Sequence, residues 1–81
     1  GLKLQMTGLG EATDTLVLRG HPEDHRFTAF HLRDGRVAAA HSVNRPAEHL
    51  LSRKLVAAGA AVDAARLADE SFDLKALLVP A

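Results

Sequence analysis

The stretch Arg26-Phe27-Thr28-Ala29-Phe30-His31-Leu32-Arg33-Asp34-Gly35-Arg36-Val37-Ala38-Ala39-Ala40-His41-Ser42-Val43 decides the fold. Asp34-Gly35 at its centre is the strongest short hairpin signal in the chain. A two-residue type I′ turn needs positive φ at both central positions, which Gly adopts freely and Asp better than most residues. The turn predicts strands over Arg26–Arg33 and Arg36–Val43, with Leu32 opposite Val37 and Phe30 opposite Ala39. One face then carries Phe30, Leu32, Val37, Ala39 and Val43. The other carries Phe27, Ala29, Ala38 and Ala40, with Ser42. Neither face is polar, and the one conflict, Arg33 opposite Arg36, sits at the solvent end.

Before the hairpin, Leu2, Leu4 and Met6 alternate with Lys3, Gln5 and Thr7, the period of a half-buried strand. Leu16 and Leu18 alternate with Thr15, Val17 and Arg19, so residues 13–19 read as a second strand. Gly20, Pro22 and Glu23-Asp24-His25 make the turn that follows. After the hairpin the pattern becomes helical. Asn44 or Arg45 caps a helix with Pro46 in its first turn, where the missing N–H costs nothing. Ala47, Leu50, Leu51, Leu55 and Ala58 form its apolar stripe, Glu48, Ser52, Arg53 and Lys54 face elsewhere, and Gly59 ends it. Asp63 caps a second short helix over Ala64–Ala68, and a last turn or two runs from Asp73 to Leu78, ended by Pro80. Strands first and helices after predict an α+β domain: an antiparallel sheet of four to five strands with two to three short helices on one face. The uncovered face, with Phe27, Ala29, Ala38 and Ala40, becomes a candidate domain or self-association interface.

Composition narrows the function. The chain has 81 residues, no cysteine, and ten basic residues against ten acidic ones. That length supports a single domain over residues 1–81. Thiolate chemistry and disulfides are excluded. No basic block favours a nucleic-acid partner, and no apolar run is long enough for a membrane, so a cytoplasmic setting is expected. Of the apolar residues, fifteen are Ala and thirteen Leu, while Ile, Tyr and Trp are absent. Ala buries little area, so a core built this way is thin, as if the piece leaned on something else.

Nothing in the sequence marks a catalytic, cofactor or metal site. His21 and His25 lie in a Pro-containing turn, and His31 and His41, in the register above, point to opposite faces and would not share a metal. Glu23 and Asp24 occupy the same turn, and Asp69, Glu70 and Asp73 are explained by capping and solvation. Gly8 and Gly10 lack the third glycine and following helix of a phosphate loop. Arg45, Arg53 and Lys54 could present a cationic docking patch to an acidic partner.

The ordered set Leu2-Lys3-Leu4-Gln5, Gly8-Leu9, Leu18-Arg19-Gly20, Phe27-Thr28-Ala29-Phe30, Leu32-Arg33-Asp34-Gly35-Arg36-Val37, Val43-Asn44-Arg45-Pro46, Leu67-Ala68-Asp69-Glu70-Ser71 and Leu74-Lys75 resembles the C-terminal domain of FAD-dependent NAD(P)H:ferredoxin reductases. These enzymes serve cytochromes P450 and ring-hydroxylating dioxygenases and are built like glutathione reductase. The resemblance covers essentially the whole chain. It implies a larger parent whose upstream domains hold FAD and NAD(P)H, with this segment binding neither cofactor and performing no catalysis alone. It implies contact with those upstream domains and with a ferredoxin, which Arg45, Arg53 and Lys54 would help to dock. The family often has Tyr where His31 stands and an aromatic where His49 stands. A different reading of the same residues is a free-standing interaction module that homodimerises through the open face. A homo-oligomer is expected of the isolated piece in either case.

Overall fold

A computed structural model describes residues 2–78; the Pro80 stop lies outside them. Four strands, β1 (Leu4–Gly8), β2 (Thr15–His21), β3 (Arg26–Arg33) and β4 (Arg36–Val43), precede two helices, α1 (Pro46–Ala58) and α2 (Ala64–Ala68). Short 3₁₀ turns at Pro22–Asp24 and Leu74–Leu78 complete the order. The expected α+β architecture is present. The strands form one antiparallel sheet in the order β1-β4-β3-β2. No helix among the described residues is long and apolar enough to cross a membrane.

The hairpin has the expected ends and turn. Asp34 and Gly35 have φ of 54° and 74°, both positive, as a type I′ turn requires. Leu32 pairs with Val37 as expected, but the register then shifts by one residue. His31 faces Ala39 and Phe30 faces Ala40, with Ala38 bulged out between them. Because strand side chains alternate, one extra residue moves every later side chain of β4 to the other face. Ala40 and Ser42, expected on the open face, are fully buried on the helix side instead. His41 and Val43 take their places on the open face.

α1 begins with Pro46 at its first position and ends at Gly59, with φ 57°. Arg45 occupies the cap position without a side-chain bond. Asn44 instead accepts from Lys3 N–H at 2.8 Å and donates to the His25 carbonyl at 2.8 Å, tying three segments together. The Asp63 carboxylate caps α2 by accepting from Ala65 N–H. Residues 60–62 run beside the start of β4, where Val37 N–H donates to the Ala60 carbonyl and Val62 N–H to that of Gly35. Both helices lie on one face of the sheet, α1 over β4 and β1, α2 over β2. Between the layers sits the core of Val17, Phe30, Leu32, Val37, Ala40, Leu55, Ala60, Leu67 and Leu74.

Two expectations about faces are corrected. Leu16 and Leu18 do not face the core; Val17 and Arg19 do. On α1, Ala47, Leu50 and Ala58 are exposed, and the buried positions are His49, Ser52 and Leu55. For α1 the cause is that the sheet positions beneath it are partly polar, and the helix turns polar residues inward to meet them.

Candidate functional site

The inner face of the sheet carries a row of polar residues, Arg19–Thr28–Ser42–Gln5, read across β2, β3, β4 and β1. Thr28 and Ser42 are fully buried, and their hydroxyls lie 3.1 Å apart. The Thr28 hydroxyl donates to Glu48 Oε1 at 2.7 Å, and His49 Nδ1 lies 3.1 Å from the Ser42 hydroxyl. Glu48 Oε2 accepts from Arg19 Nε at 3.2 Å and from Arg45 at 3.3 Å. Arg19, only 5% exposed, spends its other N–H groups on four carbonyls, those of Leu67, Asp69, Glu70 and Phe72. A buried cation is tolerable only when paired and bonded in this way. The network joins β2, β3, β4, α1 and the segment after α2. It is a structural clamp whose members bond one another; only Gln5 Oε1, at the β1 end of the row, is buried without a partner among the described residues. Burial, followed by the nearby Arg53 charge, pushes the His49 imidazole below its ordinary pKa, so it is held neutral.

The outer face of the sheet is the opposite case. Its cross-strand rows, from β2 to β1, are Gly20–Phe27–Val43–Leu4, Leu18–Ala29–His41–Met6 and Leu16–His31–Ala39–Gly8. Leu4, Met6, Leu16 and Leu18 are 60, 63, 58 and 47% exposed, and no helix lies over them. Isolated exposed leucines are ordinary, but contiguous rows of apolar side chains on an uncovered sheet mark a contact surface. Of the four residues expected there, Phe27 and Ala29 are in place, Ala38 is half-buried at the bulge, and Ala40 is in the core. The residues missed are Leu4, Met6, Leu16 and Leu18. Their alternation was visible, but which side of it met the helices was not.

The cationic candidates separate. Arg45 donates to Glu70 Oε1 at 2.7 Å as well as to Glu48, and its side chain is 22% exposed. Its charge is committed to fastening α1 to the Asp69–Glu70 segment. The Arg45 guanidinium holds the Glu70 carboxyl below the usual carboxylate range. Arg53 and Lys54 are exposed on α1 and make no ion pair among the described residues. Together with Thr7, Leu50 and Ala57 they line a shallow groove of 620 Å³. A second groove, of 820 Å³, runs between α1 and residues 70–75 and also contains Lys54.

The histidines do not lie as expected. The bulge turns His41 onto the same face as His31, and their ring centroids are 5.1 Å apart at 32°. His21, Glu23 and Asp24 are the one group among the described residues whose donor atoms converge within 4.8 Å, and all three are exposed. His21 also lies 3.0 Å from Glu70 Oε2, so ion pairing accounts for its position.

The family model described as Reductase C-terminal matches residues 1–78. The chain is 46% identical over 76 residues to the anthranilate 1,2-dioxygenase system ferredoxin–NAD(+) reductase component of Burkholderia cepacia, covering 93% of this chain and 19% of that protein. It is 43% identical over 76 residues to the 5,5'-dehydrodivanillate O-demethylase ferredoxin reductase subunit of a Sphingobium species, covering 94% of this chain and 18% of that one. Among solved structures it superimposes on the covalent putidaredoxin reductase–putidaredoxin complex with a TM-score of 0.85 at 35% identity, covering 95% of this chain and 18% of that chain. The chain thus spans under a fifth of the length of the relatives it matches.

Proposed function

The chain belongs to the Reductase C-terminal family, and from that premise we propose that it is the closing domain of an FAD-dependent ferredoxin reductase, a structural and docking unit with no chemistry of its own. The parent moves electrons from NAD(P)H through FAD to a ferredoxin. FAD and NAD(P)H bind in the domains upstream, and this domain completes the enclosure by laying its open sheet face against them.

The observation that carries the reading is that open face. Its rows, apolar but for His31 and His41, span all four strands, with Leu4 and Met6 at one edge and Leu16 and Leu18 at the other. A domain that lives by itself gains nothing from leaving them in water. Covering the row side chains stabilises on the order of 25 cal/mol per Å² of apolar surface removed from water. Leu18→Glu in the full-length reductase places a charge in that contact. The expected result is a lower melting temperature and faster loss of FAD on dilution. A variant that keeps both at the wild-type values would remove the open face from the proposal.

Ferredoxin docking falls to the exposed part of α1. Arg53 and Lys54 are the cations there with no partner among the described residues, and Leu50, 59% exposed, stands beside them. Arg45 contributes through its grip on Glu70 and Glu48. Exposed charges of this kind act through steering and orientation, so their effect is on encounter. Arg53→Glu should raise the KM for ferredoxin severalfold, more at low salt than at high, and leave NADH oxidation by a small dye unchanged. An unaltered KM at low salt would take Arg53 off the docking surface.

A further inference from the structure

The middle of the open face is not purely apolar. His41 sits in the row with Leu18 and Met6, and His31 lies in the next row, diagonally across from it, with 5.1 Å between the ring centroids. The row beyond His31 on the same face carries Arg33 opposite Arg36, and the row beyond His41 carries no charge. The segment between β1 and β2 contributes one acid, Asp14, whose Oδ2 is 3.4 Å from His31 Nδ1. That contact lacks hydrogen-bond geometry, and His31 Nδ1 is buried without a partner. Asp14 is already occupied, because it accepts from Arg33 at 2.8 and 3.0 Å and from Glu11 N–H at 2.7 Å. Arg33, on β3, therefore offsets the one carboxylate near His31, and Glu11, 3.5 Å from Arg33, lies further out. His41 makes no ion pair among the described residues. The backbone of Gly10 closes on the His31 ring so tightly that a Cβ there would stand 2.6 Å from Cε1. The ring is thereby kept beside His41.

Resting on the reading that the upstream domains cover this face, we propose that His31 and His41 make the cover pH-dependent: it closes with both imidazoles neutral and opens when they take up protons. The physical cause is twofold. Two imidazolium rings side by side repel, and an apolar cover removes the water that screens them. Both rings are part-exposed when the face is open, so a proton is accommodated more easily there than under a cover. By linkage the closed state disfavours protons. The contact therefore weakens as the pH falls.

Met6 reports on this directly. It is the only methionine in the chain, it pairs with His41 across β1 and β4, and it is largely exposed when the face is open. Hydrogen peroxide converts an accessible thioether to the sulfoxide, which mass spectrometry counts. In the full-length reductase at pH 8, Met6 should oxidise at least about tenfold more slowly than in the same protein unfolded in urea. At pH 5.5 most of that protection should vanish, while the double variant His31→Phe, His41→Phe keeps it. If that variant fails to fold, His41→Gln alone, which removes one of the two charges, should retain more protection at pH 5.5 than wild type. Protection in the wild type that survives pH 5.5, or a loss that persists in the variants, overturns the switch and leaves the cover intact. Oxidation at pH 8 as fast as in the unfolded protein overturns the cover itself.

Discussion

At the scale of single residues, Arg19 is the side chain on which most else depends. It reaches from β2 across the sheet to the carbonyls of Leu67, Asp69 and Phe72 and to Glu48 on α1. Methionine has a similar length and no donors. Arg19→Met would leave those carbonyls and the Glu48 carboxylate buried without their main partner, at a cost of about 3 kcal/mol. Urea denaturation reads this as a lower midpoint with an unchanged slope. A loss below about 1 kcal/mol would mean that water or neighbouring donors replace the guanidinium, and the clamp would not be needed. The residues of this network were all plain in the sequence, but their partnership was not. Arg19 shares a face with Val17 and alternates with Leu16 and Leu18, and so looks like a solvent position. Glu48 and Ser52 look like the wet side of a helix. Nothing local says that two hydroxyls, Thr28 and Ser42, wait beneath them.

At the scale of elements, α1 is held to the sheet as much by polar contacts as by apolar ones. His49 is the histidine in that seam, with its ring nitrogen against the Ser42 hydroxyl. Burial lowers its pKa in the folded chain below the ordinary 6.5. The neutral form is therefore favoured by folding. Its contribution is complete above about pH 6.5 and is lost as the pH falls below it. The melting temperature of the chain should drop between pH 8 and pH 5.5, and His49→Phe should flatten that drop, since Ser42 keeps Thr28 as a partner. An equal drop in the variant would assign the effect elsewhere. Asp14, Asp69 and Glu70, whose carboxyls are held low chiefly by Arg33, Ser71 and Arg45 respectively, act in the same direction but at lower pH. The limits of the elements were the most legible part of the chain. The Asp34-Gly35 turn, the Pro46 start, the Gly59 stop and the Asp63 cap each act within a few residues, so local chemistry is enough to place them. The bulge at Ala38 was illegible for the opposite reason. Three consecutive alanines offer no side chain that distinguishes one register from the next, and the choice is made by what Phe30 and Leu32 meet across the sheet.

At the scale of the whole molecule, the domain is two layers where burial of both sheet faces needs three. By itself the chain should associate through the open face, sheet against sheet. Sedimentation equilibrium at high concentration should show a species heavier than one chain, and Leu18→Glu should return it to a monomer. A wild-type chain that remains monomeric throughout would mean that the exposed rows are too small or too wet to drive association. The sequence by itself determined the order of the elements, their ends, the α+β class and the kinship to ferredoxin reductases, because these rest on turn chemistry, caps and ordered motifs that act locally. Only the tertiary structure decided which face of each element is inside. Alternation and helical spacing define two faces but do not label them. In β1 and β2 the leucines and Met6 went outward, and in α1 His49 and Ser52 went inward. The label comes from the neighbouring layer, where a polar row of Thr28 and Ser42 needs partners that leucine cannot supply.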